Sequence, residues 1–489
     1  MSKNNLRYIA RIVVEAATPL VVGSGEEGLT IDKLIARDVN GLPIIPGSAL
    51  AGVFRHEYTA TNGSEKERYL FGYQSNNNGE GSRIFFTNAH FVGSKGVVYE
   101  GFEHSEEIKT DKFAEVFKHL PIRQHVSIDH KGVAKDAGKY DEEVLFKGTR
   151  FCFEVEAIDI NEEDWLSLLN LLKQDRFRIG SGTRKGFGAL SVVSASAYTY
   201  DFTKKTDVDL YLDKKASLNY PVNYFNPIDL VESTQETDEY VLRIKADNFF
   251  LFSSGFASSD ADINQVMEDI VVWDGLIPDF KKNQVLIPAT SIKGAISHRV
   301  AFHYNKLKGI FAENIHSSNL ITELVKDESY FKTLIDREHF NSSSLTSSEL
   351  FINFNPAVRG LFGYSENPCD DKDKNRYQKN RGNVIFNDLY LDAKCEDFKV
   401  FNHVRIDRFT QGSYAGALFN EKVAGIGGEF DLTMAVNKNI HSDYIKCFEK
   451  ALLDIVNGIL PLGGRTMLGH GMFSGKLFKN KTEISYDSL

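Results

Sequence analysis

The feature that most constrains this 489-residue chain is an internal repeat, because five short sequence landmarks occur in the same order in each half. A repeat of this kind indicates a duplicated structural unit. A single tetrapeptide can recur by chance, whereas five in one order indicate two copies of one fold. The landmarks and their counterparts are Ile45–Gly52 and Ile287–Gly294, Leu70–Tyr73 and Leu361–Tyr364, His125–Asp129 and His403–Asp407, Gly148–Phe151 and Gly427–Phe430, and Gly180–Gly188 and Gly463–Gly471.

The spacing of the landmarks places an insertion in the second copy. The first landmark recurs after 242 residues (287 − 45) and the second after 291 residues (361 − 70). The second copy therefore carries 49 extra residues (291 − 242) between them, which we expect at about 306–350. A polar stretch with Asn- and Pro-containing turns separates the copies. We predict a first domain at 1–202, a linker at 203–238 and a second domain at 239–489.

The two copies share one predicted order of strands and helices. Alternating apolar residues predict an opening strand, and Pro followed by Ser or Thr predicts a helix start with a side-chain cap. The predicted elements are a strand at 6–16, helices at 48–59 and 162–174 and a strand at 190–198 in the first copy, and a strand at 240–246, helices at 290–305 and 444–457 and a strand at 472–477 in the second. Strand–helix–strand–strand–helix–strand is the ferredoxin-like order. The sequence therefore predicts an α+β fold with two ferredoxin-like (RRM-like) domains in tandem, with inserted loops and hairpins.

Composition favours a cytoplasmic protein without a membrane partner. The chain has 42% hydrophobic and 25% charged residues and lacks an apolar run long enough to cross a bilayer. Its four cysteines (Cys152, Cys369, Cys395 and Cys447) form no C-x-x-C pair, which argues against a disulfide framework and a cysteine zinc site. The formal net charge of −10 disfavours RNA binding by the surface as a whole, because phosphate affinity comes from Lys and Arg. A local groove can still be basic.

The glycine-rich fifth landmark is a candidate phosphate site in both copies. In the first copy, Gly182 and its neighbouring glycines bracket Arg184 and Lys185. Backbone N–H groups can approach a phosphate there while the two cations supply charge. The loop of the second copy carries Arg465 and His470. The alternative is a glycine-rich turn that needs positive φ.

The Ile-Pro helix starts are a second candidate for RNA binding, because the first turn of a helix offers free backbone N–H groups to an anion. The alternative is a capped helix with a solvated polar face. The candidate side chains are Ser48, Arg55 and His56 in the first copy and Lys293, His298 and Arg299 in the second.

A glycine-rich loop ahead of the first helix carries Asp32, flanked by the cations Lys33 and Arg37. An Asp at this place can orient an RNA hydroxyl or hold a divalent cation (Mg²⁺ or Mn²⁺) for an in-line attack that breaks the strand. The alternative is an Asx turn or a helix cap.

The second copy offers Asp260, Asp262 and Asp269 for the same role. Asp269 is the best match to Asp32 by position, which makes the Asp loop of the second copy the longer one.

The His-Val-x-Ile-Asp landmarks lead into loops that are rich in glycine and cations. Arg405 and Arg408 stand close to aromatic residues, the mixture found where proteins meet bases and the nucleic-acid backbone. His125 and His403 are candidates for RNA contact or acid–base work, and a structural role is the alternative for both.

Together these motifs resemble the RAMP backbone subunits of type III CRISPR effectors. The resemblance covers both copies, apart from the linker and the insertion. It rests on Ile31-Asp32 leading to Arg37-Asp38, the Ile-Pro-Gly-Ser helix start, the Leu-Phe-Gly landmark, Ile406-Asp407-Arg408-Phe409-Thr410 running on to Gly416-Ala417-Leu418-Phe419, and the terminal glycine loop.

The resemblance implies a filament of such domains along a CRISPR guide RNA, with other effector subunits as partners. The hairpins after Asp129 and Asp407 would act as thumbs that interrupt the duplex of guide and target RNA. It also implies metal-dependent cleavage of the target RNA at the loop Asp, a role that carries over directly to Asp32 and by position to Asp269. The second copy departs from the pattern with Ala289-Thr290 in place of Gly-Ser.

Two other functions fit the same residues. A structural guide-binding subunit without nuclease activity fits the absence of a metal-cluster or paired-carboxylate motif. A processing endonuclease that matures guide RNA would use His125 or His403 as general acid or base and would cleave without a metal.

Overall fold

The computed structural model describes residues 5–26, 28, 31–75, 78–103, 105–128, 133–232, 237–309, 355–365 and 379–488. Of the insertion predicted at about 306–350, only 306–309 fall within these residues. Asp129 and Cys369 also lie outside them.

The strands and helices predicted for the first copy occur in the predicted order, and the predicted linker contributes further elements. The strands are β1 (Leu6–Ala16), β2 (Ile44–Ile45), β3 (Tyr73–Gln74), β4 (Gly79–Glu80), β5 (Ile84–Phe86), β6 (Ala89–Phe91), β7 (Ile122–Ile128), β8 (Ala134–Glu143), β9 (Arg150–Ile158), β10 (Leu190–Asp201) and β11 (Asn226–Pro227). The helices are α1 (Gly47–Asn62), α2 (Ser64–Phe71), α3 (Ser105–Thr110), α4 (Lys112–Val116), α5 (Glu162–Asn170) and α6 (Lys205–Asp213), with 3₁₀ turns at Ser94–Gly96 and Leu171–Lys173.

The second copy repeats the same plan. Its strands are β12 (Thr237–Ala246), β13 (Ile263–Asn264), β14 (Met267–Asp274), β15 (Ile277–Ile287), β16 (Gly363–Ser365), β17 (Lys379–Arg381), β18 (Val384–Phe386), β19 (Leu389–Leu391), β20 (Phe398–Ile406), β21 (Ser413–Ala424), β22 (Phe430–Asn437), β23 (Phe473–Lys479) and β24 (Thr482–Ile484). Its helices are α7 (Ala289–Leu307), α8 (Pro356–Phe362) and α9 (Ser442–Val456), with 3₁₀ turns at Cys395–Asp397, Thr466–Leu468 and Tyr486–Ser488.

Four strands of the central sheet correspond between the two copies. The first sheet has the order β11-β10-β1-β9-β6-β2, with β5 also paired to β9, and the second has the order β18-β22-β12-β23-β24. The run β10-β1-β9-β5 therefore corresponds to β23-β12-β22-β18, and the strands in both runs pair antiparallel. The fold is α+β.

Each copy buries one face of its sheet under two helices. In β1, alternate residues such as Ile12 and Val14 are fully buried and pack with α1 and α5 in one hydrophobic core. In β12, alternate residues such as Leu242 and Ile244 do the same against α7 and α9 in a second core. Side chains of a strand alternate between its two faces, so the apolar alternation in the sequence predicts these buried faces.

The segment predicted as a linker packs on the opposite face of the first sheet. Its strand β11 pairs with β10, and Tyr211 from α6 contacts Tyr200 at 5.3 Å between ring centroids. Arg11 of β1 donates to the Tyr220 carbonyl (2.6 Å), and Lys214 pairs with Glu154 (2.7 Å). This segment therefore covers a sheet face in addition to connecting the copies.

A hairpin of the second copy, β14–β15, inserts into the core of the first. Trp273 and Phe280 pack against Phe113 with ring centroids 5.6 and 5.4 Å away. The Trp273 indole N–H donates to the Gly148 carbonyl at 2.7 Å. The two copies therefore share apolar surface and a hydrogen bond between the indole and the main chain.

A buried arginine joins the copies where β7 meets β14 and β19. Arg123 donates through Nε and Nη2 to Glu268 (2.5 and 2.7 Å) and through Nη1 to Asp388 (2.6 Å). Tyr390 accepts from Arg123 Nη2 at 2.9 Å and donates to Glu268 at 2.9 Å. The side chains of Arg123, Glu268 and Asp388 are all buried. We call these four residues the arginine clamp.

Replacing Arg123 by Met should destabilise the protein strongly, because two buried carboxylates would lose their counter-charge. We expect a loss of about 3–5 kcal/mol in the free energy of unfolding, the range for breaking a buried pair. The measurement is urea unfolding followed by fluorescence. Lys281→Met is the matched control, because Lys281 pairs with Asp392 in solvent and an exposed pair contributes little. Equal losses in the two variants would contradict the proposed role of the clamp.

Candidate functional site

The loop that carries Asp32, residues 18–38, is anchored by main-chain contacts to the β7–β8 hairpin. Gly23 bridges Ile35 across the loop, and Lys33 forms a parallel bridge with Glu142 of β8. The exposed Asp32 accepts a hydrogen bond through Oδ2 from the Asp141 amide at 2.8 Å. We call this loop the first Asp loop.

The second copy has the same loop at 248–268, and each of these contacts recurs there. Ser253 bridges Gln265, and Ile263 pairs in parallel with Glu421 of β21. Asp262 Oδ2 accepts from the Asn420 amide at 2.9 Å, the same contact that Asp32 makes with Asp141. The structural counterpart of Asp32 is therefore Asp262, and the offset between the two loops is 230 (262 − 32 and 253 − 23).

The match of Asp32 to Asp269 is wrong. Asp269 lies in β14, where its carboxylate accepts from the Asn283 amide (2.9 Å) and from Lys282 Nζ (2.8 Å). Asp260, another candidate for the role of Asp32, forms an ion pair with Lys422 (3.0 Å). The two Asp loops have equal length, and the 12 extra residues of the second copy (242 − 230) lie in the β14–β15 hairpin. The expected longer Asp loop is therefore also wrong.

A buried glutamate stands beside each Asp loop, and the sequence motifs did not point to it. In the first copy, Glu142 Oε1 lies 2.8 Å from His125 Nε2, and the His125 ring stacks on Tyr140. The ammonium groups of Lys33 and Lys185 lie 4.6 and 5.5 Å from the Tyr140 ring centroid. Burial raises the pKa of Glu142, but His125, Lys33 and Lys185 outweigh it and hold this pKa below its ordinary value.

The second copy repeats this arrangement around Glu421, which is fully buried. Its carboxylate lies 3.0 Å from His403 Nε2, 3.2 Å from His470 Nε2 and 3.1 Å from Arg465 Nε. Phe419 stacks on His403, as Tyr140 stacks on His125. His403, His470 and Arg465 are thus brought together on one carboxylate. A signal was available, since Glu421 follows Glu142 at the offset of the fourth pair of landmarks (421 − 142 = 427 − 148).

The first glycine loop (180–188) lies against the start of α7 in the second copy and collects cations there. A Cβ on Gly186 would approach Ala289 Cβ to 2.5 Å, so only glycine fits this contact. Arg184 Nε donates to the Gly382 carbonyl (2.7 Å), while its Nη1 is buried without a hydrogen-bond partner. Lys185 Nζ donates to the Tyr140 hydroxyl at 3.1 Å.

The cations at this contact come from both copies and repel one another. Burial, then Lys185 and Arg184, lower the pKa of Lys293 to about 8. Burial, then Arg381 and Arg178, lower the pKa of Arg184 to about 9. Lys293 donates to the Phe362 carbonyl at 3.2 Å. An anion would relieve the repulsion, so this cation cluster (Arg184, Lys185, Lys293) is a candidate phosphate site.

The helix starts differ from the prediction. The cap positions hold Pro46 and Pro288 with no side-chain cap, so Ser48 lies exposed inside the first turn of α1. The first helical amides are occupied, since Gly47 N donates to Asn88 Oδ1 (2.9 Å) and Ala289 N to Asp388 Oδ1 (2.8 Å). The first N–H group of each helix, Gly47 N and Ala289 N, is therefore not free for an anion, contrary to the expectation.

Several predicted RNA-binding cations are engaged in ion pairs. Arg37 pairs with Glu143 at 2.6 Å and donates to two carbonyl oxygens. Arg55 pairs with Glu67, and Arg299 with Asp454. On the same two helices, His56 is exposed and His298 is half-buried.

The β20–β21 hairpin projects an apolar and basic tip. Phe409 is 97% exposed beside the exposed Arg408, and the Arg405 guanidinium lies 4.9 Å from the Tyr414 ring centroid. Asp407 accepts hydrogen bonds from the Thr410 amide, the Tyr414 hydroxyl and the Phe409 amide. These hydrogen bonds shape the turn and lower the pKa of Asp407 to about 2. The described part of the β7–β8 hairpin exposes Val126, Ile128 and Val133 in the same way.

Two features of the described residues bear on the site. Among the described residues, no group of three or more His, Cys, Asp or Glu side chains has the arrangement of a metal site. The helices within the described ranges include none that is both long and apolar enough to cross a membrane.

The comparisons with known proteins agree with the duplication. The family model described as RAMP superfamily matches two segments, residues 13–191 and 243–474. No curated protein matches the chain.

Replacing Glu142 by Gln should destabilise the protein in a pH-dependent way. A carboxylate whose pKa is lowered on folding contributes stability above its unfolded value, about 4.5, and loses that contribution as the pH falls through the folded value. We therefore expect the variant to be less stable at pH 7, with the difference from wild type shrinking below pH 4.5. Urea unfolding from pH 7 to pH 3 measures this. Glu106→Gln, at an 82% exposed side chain, is the control. A difference that stays constant with pH would contradict the prediction.

Proposed function

Because this chain belongs to the RAMP superfamily, with both copies matched, we propose that it is a guide-RNA-binding backbone subunit of a type III CRISPR effector that cleaves complementary target RNA. Membership makes it a CRISPR-associated RNA-binding subunit of a multisubunit complex. The effector type, the backbone position and the cleavage are our proposal.

The observation that carries the cleavage proposal is the repetition of one Asp geometry. Asp32 and Asp262 each occupy the same point of an equal-length loop, and each accepts from a main-chain amide of the neighbouring hairpin. A single exposed Asp in a turn is common, whereas a pair held by identical contacts in both copies indicates a shared role. We propose that both copies cleave.

Each copy is proposed to be a ferredoxin-like domain. The strand runs β10-β1-β9-β5 and β23-β12-β22-β18 correspond to fourth, first, third and second strands of a strand–helix–strand–strand–helix–strand unit. The helices that connect them pack on one face in each core.

The guide RNA is proposed to pass over the cation cluster where the copies meet. Arg184, Lys185 and Lys293 supply charge from both copies, and phosphate oxygens would satisfy the unpartnered Arg184 Nη1. The projecting tip with Arg405 and Arg408 would meet the bases, since cations beside exposed rings suit stacking. A local basic groove is compatible with the net charge of −10.

A divalent cation fits the first Asp loop better than the second. Asp141 lies next to Asp32, and its Oδ1 is buried without a hydrogen-bond partner. Mg²⁺ is commonly held by one or two carboxylates together with substrate phosphates, so Asp32 and Asp141 would hold Mg²⁺ or Mn²⁺. Bound there, the cation would neutralise charge on the scissile phosphate. In the second copy, Asn420 stands at the position of Asp141 and supplies no second carboxylate.

Asp32→Asn and Asp262→Asn should each abolish one cut in a guide-complementary RNA. We expect each affected product to fall by roughly a hundredfold, the effect of removing a positioning group, with guide binding unchanged. The measurement is cleavage of end-labelled target RNA by the assembled complex, with and without a chelator. Asp269→Asn is the matched control and should leave all products unchanged, because the Asp269 carboxylate is engaged with Lys282 and Asn283 within the β14–β15 hairpin.

The possible outcomes separate the candidate functions. Loss of a product with Asp32→Asn alone would leave the second copy as scaffold. Unchanged cleavage in both variants would sink the Asp mechanism and leave a non-catalytic guide-binding subunit. Metal-independent cleavage of precursor guide RNA would instead favour processing, although His125 and His403 both face buried carboxylates here.

Removing two cations of the cluster should weaken RNA binding regardless of sequence. For Lys185→Gln combined with Lys293→Gln, we expect the slope of log affinity against log salt to fall by roughly 0.7 for each phosphate that is no longer neutralised. Filter binding of guide RNA across a salt series measures this. The control is Lys245→Gln with Lys476→Gln, which removes equal charge from exposed positions of the second sheet. Equal slopes for both double variants would contradict the proposed path.

A further inference from the structure

A cleft between the two copies holds charged groups that neither the Asp loops nor the cation cluster uses. Its volume is about 450 Å³. The first copy lines it with the residues that follow β1, the segment 172–178 and the start of β10, and the second copy lines it with Asn387, Asp388 and Thr433. None of the three cations of the cation cluster is part of this lining. We call this space the inter-copy cleft.

Arg178 is buried at the inter-copy cleft without a carboxylate beside it. It is 4% exposed and donates to three neutral oxygens, which are Asn387 Oδ1 (2.5 Å), the Phe187 carbonyl (3.3 Å) and the Asp175 carbonyl (3.4 Å). Among the residues that the structure describes, no Asp or Glu forms an ion pair with it. A guanidinium has five N–H donors, so two of them remain for a ligand. Burial lowers the pKa of Arg178 to about 10, because the charged form is poorly solvated there.

Lys147 lines the same cleft and has no counter-charge either. Its side chain is half-buried, and its ammonium lies 5.4 Å from the Tyr390 ring centroid. In the part of the chain that the structure describes, this ammonium forms no ion pair and no hydrogen bond. Burial lowers the pKa of Lys147, and the attraction of Glu15 and Asp388 only partly offsets this effect.

The lining of the inter-copy cleft is positive as a whole. Its three cations are Lys147, Lys173 and Arg178, and its two carboxylates are Asp175 and Asp388. The carboxylate of Asp388 is already neutralised in the arginine clamp, which leaves an excess of two positive charges (3 − 1). A buried charge without a counter-charge is unfavourable, so an anion in the cleft would stabilise the lining.

We propose that the inter-copy cleft binds a nucleoside monophosphate, with the phosphate on Arg178 and Lys147. Guanidinium and ammonium groups are the usual partners of phosphate oxygens. The exposed Asp175 offers carboxylate oxygens to sugar hydroxyls, and the half-buried Leu190 and Val192 offer an apolar wall to a base. The volume lies within the range of small-molecule sites, roughly 300–1,000 Å³. This site goes beyond the proposed binding and cleavage of RNA and depends on neither.

A free nucleotide fits the inter-copy cleft better than a phosphate of the guide RNA. Proteins that follow a single strand combine a basic groove with exposed rings on which successive bases stack. Among the described residues that line the cleft, Phe177 has the only aromatic ring, and it is 2% exposed and packs in the core of the first copy. The cleft therefore offers charge for one phosphate group but no stacking surface for a strand.

Equilibrium dialysis of the purified full chain against radiolabelled AMP, and separately against radiolabelled inorganic phosphate, tests the site. We expect one AMP per chain, and Lys147→Met should weaken AMP binding roughly tenfold or more, because a hydrogen bond to a charged group is lost. Lys173→Glu should also weaken it, and this variant leaves the core intact because Lys173 is exposed. Lys281→Met is the matched control and should bind AMP like wild type, because Lys281 pairs with Asp392 in solvent.

The same dialysis with the chain saturated by guide RNA identifies the source of the phosphate. Equal AMP affinity with and without guide RNA supports a free nucleotide as the ligand. Displacement of AMP by guide RNA would assign the phosphate to the RNA and overturn that choice. Binding of inorganic phosphate without binding of AMP would overturn the nucleotide. Absence of both at millimolar concentration, or equal losses in Lys147→Met and Lys281→Met, would overturn the site itself. Target RNA cleavage by these variants is read separately and has no bearing on these outcomes.

Discussion

The buried guanidinium of Arg123 fixes the relation of the two copies, and the cation cluster depends on that relation. One of its acceptors, Asp388, also accepts from the first amide of α7, so the clamp holds that helix start against the first glycine loop. The same contact brings Lys293 of α7 near Lys185 and Arg184. The arginine clamp thus supports a basic surface on a protein whose net charge is negative.

The strand β7 links this interface to the Asp loop. Arg123 and His125 are two residues apart and therefore project from the same face of the hairpin. Arg123 reaches the second copy, whereas His125 meets Glu142, whose main chain bridges the loop of Asp32. The arginine clamp and the first Asp loop are thus connected through a few residues of the β7–β8 hairpin. In the second copy, Phe401 takes the place of Arg123 while His403 and Glu421 keep their contact.

The sequence predicted the fold well where the signal was local. The alternation in β1 and β12 and the proline-led helices placed the main elements within a few residues. It failed where the spacing between two motifs included the β14–β15 hairpin, which local patterns did not reveal. The extra residues of this hairpin changed the distance in sequence from the Asp loop to the Ile-Pro landmark, and Asp32 was matched to Asp269. The glutamates Glu142 and Glu421 were missed for another reason. They are buried against histidines from the opposite strand of a hairpin, a contact that local patterns do not show.

The helix starts illustrate the same limit. Ser48 has the residue type of a cap, but the cap position belongs to Pro46, and the first amide finds its acceptor in Asn88, a residue distant in sequence. Asp262 illustrates the reverse case. Its equivalence to Asp32 is shown by main-chain contacts, including the hydrogen bond that each carboxylate accepts from a main-chain amide. These contacts recur in both copies while the side chains around them differ.

The lowered pKa values at the cation cluster couple anion binding to protons. Lys293, with a pKa of about 8, is partly deprotonated just above neutral pH when no anion is present. A phosphate placed beside it would stabilise the charged form and draw a proton from solvent. The affinity for a polyanion would then decline as the pH rises past 8, because binding would require Lys293 to take up a proton.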